Sequence, residues 1–172
     1  MRRLRRRMTA VLTALLLLTL LIPWGLAEPA PGPHQTTVLF THDLHSHFLP
    51  LERADGGESG GYARLASALE QQRALHPDAL TLDGGDFSIG SLVQTLYTTR
   101  AAETANMGAM GYDAVTIGNH EFDHTGLGFA QMLTAAYTSG DPLPALLMAN
   151  YAPSAGGPDQ LDIQRAMSAY GV

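Results

Sequence analysis

After residue 36 the chain alternates short apolar runs with longer amphipathic stretches. Thr37–Phe40, Ala79–Leu82, Ala114–Ile117 and Leu143–Met148 are each bounded by turn or polar residues, the pattern of buried strands. Between the first two, 62–76 carries Tyr62, Leu65, Leu69 and His76 near one stripe. Ala63 and Ala66 lie beside it, and Arg64, Glu70, Gln71 and Arg73 face outward, which predicts a helix stopped by Pro77. His76 reads as its C-terminal residue rather than a ligand. The spacing predicts a second helical region over 92–110, broken near Thr98-Thr99, with Gly111 just past its end. A third helix is predicted over 126–137, with Leu127, Ala130, Leu133 and Tyr137 on one face, and a further short one over 161–170. The glycine-rich 51–61 and the stretch 152–158 read as loop. The order β-α-β-α-β-α-β predicts an α/β fold with right-handed crossovers and a mainly parallel sheet.

Chemistry concentrates where these strands end. Phe40 runs into Thr41-His42-Asp43-Leu44-His45-Ser46-His47, Leu82 into Asp83-Gly84-Gly85-Asp86, and Ile117 into Gly118-Asn119-His120-Glu121-Phe122-Asp123. Functional groups of open α/β sheets gather at the carboxyl ends of the strands, so parallel neighbours would bring the three sets to one edge. Each piece has a bland reading: Asp43/His45 as a turn, Gly84-Gly85-Asp86 as a common reversal. The mixture of amide, imidazole and carboxylate in Asn119-His120-Glu121 is less usual for a surface loop. Together, the three sets point to a metal site.

The N-terminus changes the picture of where the protein works. Arg2, Arg3, Arg5, Arg6 and Arg7 precede an apolar run from Met8 to Ile22, then Pro23 and the small residues of Gly25-Leu26-Ala27. That is the pattern of a secretory signal peptide over 1–27, and the run falls short of the ~20 residues that span a bilayer comfortably. Residues 28–35 form a Pro-rich spacer carrying His34. The expected location is exported: periplasmic, extracellular or cell-surface, without stable membrane insertion after cleavage. Of the ten basic residues, all arginine, five lie in that segment, whereas none of the sixteen acids does. The remainder is therefore strongly acidic, which argues against a nucleic-acid polymer as partner. With no cysteine in the chain, any metal must be held by nitrogen and oxygen.

The blocks Phe40–His47, Leu82–Asp86 and Met110–Asp123 resemble the first half of the calcineurin-like metallophosphoesterase domain. Within it they are most similar to the bacterial 5′-nucleotidase/UDP-sugar hydrolase family, over about residues 36–150. The resemblance implies a layered α/β/β/α sandwich of which 36–172 is the N-terminal part, the C-terminal half missing. It implies two divalent ions, Zn or Mn before Co, Fe, Mg or Ca, with Asp43 and His45 on the first, Asp86 bridging and Asn119 on the second. His120 would act on the phosphoryl group or the leaving oxygen, with Asp123 orienting its imidazole. His47, Asp83 and Glu121 would hold the ligands from behind, and His124, Met107 and Met110 would be structural. The implied substrate is a nucleotide or other small phosphoester, with UDP-sugars or cyclic nucleotides as further options.

This sequence departs from that pattern at His42, where the family usually has asparagine, and at Ser46, where it often has glycine. The family's further metal-binding histidines lie downstream, and no histidine follows His124, so the isolated chain is expected to be an incomplete enzyme. The competing expectations are a non-catalytic exported module keeping one metal site, or an interaction protein whose uncovered sheet pairs with a partner.

Overall fold

A computed structural model of the chain describes residues 35–149, 151 and 158–170. The signal segment 1–27, His34 with all of the spacer except Gln35, Asn150 and most of the loop 152–158 lie outside the described residues. Described residues from Thr36 onward belong to one compact unit.

The predicted strands are present: β1 Val38–Thr41, β4 Leu80–Asp83, β5 Ala114–Thr116 and β6 Ala145–Leu147. They form one parallel sheet in the order β1-β4-β5-β6, with Val38 paired to Leu80, Asp83 to Val115 and Val115 to Leu146. The glycine-rich stretch is not all loop. It carries a two-residue antiparallel pair, β2 Leu51–Glu52 with β3 Glu58–Ser59. The helices are α1 Tyr62–Leu75, α2 Tyr97–Arg100, α3 Ala102–Ala109, α4 Thr125–Ser139 and α5 Pro158–Tyr170, with a 3-10 segment at Leu92–Leu96 before α2.

Spatial order follows chain order, so each right-handed crossover steps the same way and lays its helix on the same face. The accessibility pattern agrees. Thr81, Asp83, Val115 and Leu146 on the helix side are buried, whereas Val38, Phe40, Leu80 and Leu147 on the other side are 48%, 61%, 45% and 55% exposed. Parallel sheets are normally covered on both faces. Among the described residues, one helix layer and one sheet of the expected sandwich are present.

Three expectations about the helices are corrected. The break in the second helical region falls at Ala101, which takes a left-handed conformation at φ 46°, and not at Thr98-Thr99. In α1, Arg73 does not face outward. Its Nε and Nη2 donate to Thr81 Oγ1 at 3.1 and 3.0 Å, and Nη2 also to the Gly111 carbonyl at 2.9 Å, tying α1 to β4 and to the turn before β5. In α4 the buried residues are Gly128, Phe129, Ala130, Met132, Leu133 and Ala136, while Leu127 and Tyr137 are exposed. The helix packs against both α2 and α5, so its apolar surface is wider than one stripe. Phe129, Met132 and Leu133, fully buried there, stabilise the fold by about 2 kcal/mol each.

Candidate metal centre

The loops that leave β1 and β4 continue side by side beyond the strands. Asp43 N donates to the Gly85 carbonyl at 3.0 Å, His45 N to that of Asp86 at 3.1 Å and Ser46 N to that of Phe87 at 2.8 Å. This pairing is made in an unusual backbone. Asp43, His45, Ser46 and Asp86 all have positive φ, at 53°, 47°, 51° and 55°. Left-handed non-glycine residues cost about 1–3 kcal/mol each and persist only where the surroundings over-determine them. Four at the tips of two adjacent strands mark a site held in a strained, fixed geometry.

The loop after β5 closes against the same point. A Cβ on Gly118 would lie 2.2 Å from Asp86 Oδ1 and 2.7 Å from Asp86 N, so only glycine fits there. Asp86 Oδ1 accepts the backbone N–H of His120 at 3.0 Å. Glu121 is fully buried beneath this contact. Its Oε2 accepts from Asp86 N at 3.0 Å and Gly118 N at 2.7 Å, and its Oε1 accepts from Ser88 N at 3.0 Å and Ser88 Oγ at 2.9 Å. Asp83, also buried, accepts from Thr41 Oγ1 and from Gly85 N at 2.9 Å, fixing the turn that presents Asp86. Burial pushes the Asp83 carboxyl above the usual carboxylate range, against its hydrogen bonds from Thr41 and Gly85.

Among the described residues, His45 Nδ1 has only carbonyl partners, Ser88 O at 3.1 Å and Ile89 O at 2.9 Å. A carbonyl accepts, so Nδ1 carries the proton and the Nε2 lone pair is free. That lone pair lies 3.6 Å from Asp43 Oδ1, too long for a hydrogen bond. The Asp86 carboxyl neighbours that of Asp43 as well. Electron-pair donors turned toward one another, with the imidazole tautomer set by a second hydrogen bond, are the donor set that a divalent cation takes. Among the described residues, no three His, Asp or Glu side chains are gathered tightly enough to enclose an ion as they stand. The chemistry of the donors fits a cation; their spacing is that of an open site. Asn119 stands exposed at the start of the same turn.

His120 lies beside them, its ring 5.1 Å from that of His45 and edge-to-face with it. Its Nδ1 is 2.8 Å from Asp123 Oδ2, and this hydrogen bond holds the imidazole pKa above its ordinary value. His47 packs against Gly90 and lines, with Asp43, Leu44, Tyr62 and Leu65, a cleft of about 490 Å³. His124 stacks on Tyr97 at 5.6 Å.

Sequence reasoning noted His42 without giving it a role, and it missed Ser88 and Glu103. His42 Nδ1 contacts Asp43 Oδ2, and this contact is the main reason the Asp43 carboxyl is held below its usual value. Ser88 and Glu103 are fully buried beneath the loops. The one signal for Glu103 was a lone acid among the small residues of Ala101-Ala102-Glu103-Thr104-Ala105.

A parallel sheet that gathers imidazole, carboxylate and amide groups at its C-terminal rim is an arrangement open α/β proteins use for functional sites, and similar folds are found among solved structures. The 5′-nucleotidase precursor of Thermus thermophilus superposes with a TM-score of 0.58 at 28% identity, covering 72% of this chain and 24% of its own. The NAD nucleotidase of Haemophilus influenzae gives 0.56 at 30%, covering 69% and 21%. In sequence, the chain is similar to 5′-nucleotidases. That of Bos taurus is 40% identical over 110 residues, 58% of this chain and 18% of the relative, and that of Homo sapiens 39% over 117 residues, 62% and 20%. No family model matches. The resemblance drawn from the three motifs is thus borne out, over a chain that spans about a fifth of the length of these relatives.

Proposed function

We propose that this chain carries the N-terminal portion of the catalytic domain of a metal-dependent phosphoesterase that removes phosphate from nucleotides, as the names of its relatives suggest. Phosphodiesters such as UDP-sugars or cyclic nucleotides are further substrates of the same reading. The observation that carries it is the pair of donors facing one another across 3.6 Å, Asp43 Oδ1 and a His45 Nε2 whose lone pair is left free.

In this reading Asp43, His45, Asp86 and Asn119 hold divalent ions. A bound ion supplies Lewis acidity, lowering the pKa of water and offsetting phosphoryl charge. The chain's own chemistry is at His120. Asp123 accepts from Nδ1 and leaves Nε2 as the atom that carries a proton toward the substrate. Water adds to phosphorus and releases a proton to solvent, the bond to the leaving oxygen breaks, and that oxygen takes the Nε2 proton, which solvent then returns to His120. Such proton transfer contributes about 10²–10⁴ in rate.

The uncovered sheet face favours a second element of the reading: activity belongs with whatever layer packs on Val38, Phe40, Leu80 and Leu147. We place the protein outside the cytoplasm on the strength of its N-terminal pattern. The test is release of inorganic phosphate from a nucleoside monophosphate with Mn²⁺ or Zn²⁺, on the chain with and without the segments that extend its relatives. An Asn119→Ala variant that binds metal and turns over like the unaltered protein would remove the reading; one that loses turnover upholds it.

A further inference from the structure

Glu103 is on the first turn of α3, fully buried, and none of the chemistry above uses it. Its Oε1 accepts from the Ser46 hydroxyl at 2.7 Å, and its Oε2 has no hydrogen-bond partner among the described residues. The carboxyl's one side-chain partner is thus a residue next to His45. Ser46 is itself fully buried and left-handed. Its N–H donates to the Phe87 carbonyl at 2.8 Å, and its carbonyl accepts from Ser91 Oγ at 2.5 Å. Backbone bonds on both sides, with a buried acceptor on the side chain, over-determine a conformation that serine would otherwise leave.

We propose that Glu103 is a positioning residue of the candidate metal centre: by holding the Ser46 hydroxyl it keeps the His45–Ser46 backbone left-handed, and so keeps the His45 imidazole aimed at Asp43. A buried carboxyl is costly to place in an apolar helix layer, and a partner in the ligand loop is what it obtains here. The device suits serine. Glycine adopts the left-handed region freely and needs no such hold, so the two positions are coupled through strain as well as through the hydrogen bond. The inference rests on the reading of Asp43 and His45 as metal ligands.

The experiment uses the whole chain and two readouts besides turnover: Mn²⁺ and Zn²⁺ affinity by calorimetry, and the ¹⁵N shifts of the His45 ring without metal. Loss of a group that orients a metal ligand typically lowers affinity 10–100-fold, so Glu103→Ala is expected to weaken binding by about that factor. Without metal it should let His45 sample the other tautomer. Glu103→Gln keeps an acceptor for Ser46 and is expected to restore both to within a few-fold. In the Ser46→Gly background, Glu103→Ala should have little further effect. A purely structural role would lower unfolding stability in both backgrounds equally and leave the tautomer unchanged; that outcome overturns the proposal, as does unchanged affinity in a folded Glu103→Ala chain. If Glu103→Ala does not fold, Ser46→Ala cuts the same bond from the other side, and wild-type affinity there overturns it. A wild-type chain that binds no ion defeats the proposed function, while the tautomer measurement still decides the role of Glu103.

Discussion

Glu121 Oε2 accepts the backbone N–H of Asp86 at 3.0 Å and that of Gly118 at 2.7 Å, so one buried carboxylate oxygen joins the loops that leave β4 and β5. The other oxygen does the same for Ser88. Replacing Glu121 with Ala leaves these donors buried without a partner, each a penalty of about 1–3 kcal/mol. Glu121→Ala is therefore expected to lose roughly 3 kcal/mol or more, measured by urea unfolding. Glu121→Gln keeps an acceptor and should lose less.

Gly118→Ala tests the same seam from the other side. Its Cβ would sit 2.6 Å from Asp86 Cγ and 2.7 Å from the Asp86 nitrogen. Backbone cannot yield cheaply there, so Asp86 is displaced. The expected outcome is a destabilisation of about 1–3 kcal/mol together with loss of Mn²⁺ binding by calorimetry. A Gly140→Ala control meets no atom within 4 Å and should leave binding intact, although its own φ of +78° makes it somewhat less stable.

Asp123→Asn separates proton chemistry from metal binding. It keeps the shape around His120 Nδ1 but removes the charge that raises the imidazole pKa. In a phosphate-release assay at saturating metal, kcat should fall by about 10²-fold or more. Metal affinity by calorimetry should stay within a few-fold of wild type. Equal losses in both would place Asp123 among the metal's supports instead.

Asp83 gives a pH dependence of stability with a definite sign. Its folded pKa is raised, chiefly by burial. Between the ordinary carboxyl value and the raised one, the folded protein binds more protons than the unfolded chain, so stability falls as pH rises through that window and stays lower above it. Asp83→Asn removes this contribution while keeping an acceptor for Thr41 or Gly85. The urea midpoint of wild type minus that of Asp83→Asn should therefore decline with rising pH. A flat difference would show that Asp83 is not titrating in that range.

Divalent ions should stabilise the folded chain if the donors at the strand tips bind them. At free ion about a hundred times Kd the gain is about 2.7 kcal/mol. Thermal unfolding with Mn²⁺, then with excess chelator, reads this directly, and Asp43→Asn should abolish the shift.

The strands, their parallel order and the gathering of Asp43, His45, Asp86 and His120 at one rim were legible because apolar run length and strand-end chemistry are local signals. The side that a residue faces was less so. Arg73 has the spacing of an outward position, yet the Thr81 hydroxyl and Gly111 carbonyl draw it to the sheet. Tyr137 fits an amphipathic stripe, but α5 covers a different flank of α4 and leaves it exposed. The left-handed backbone of Asp43, His45, Ser46 and Asp86 has only a weak sequence signal, because Asp and His enter that region more readily than most residues but far less often than glycine. It is held by the backbone pairing of Asp43, His45 and Ser46 with Gly85, Asp86 and Phe87, and by the buried acceptors of Glu121, Asp83 and Glu103 around it.

The strand order has a consequence for how the chain can be built. Each βα unit docks on the edge left by the one before it, and no strand must be inserted between two that have already paired. Such a sheet can grow in one direction as the chain emerges, but its first pairing joins Val38 to Leu80, and parallel pairings so distant in sequence form slowly. The site is completed late in that process: the turn at Gly118 seats against Asp86 only once the third of the four strands is in place, so a stalled chain would carry the candidate ligands of β1 and β4 without the seam that sets their spacing.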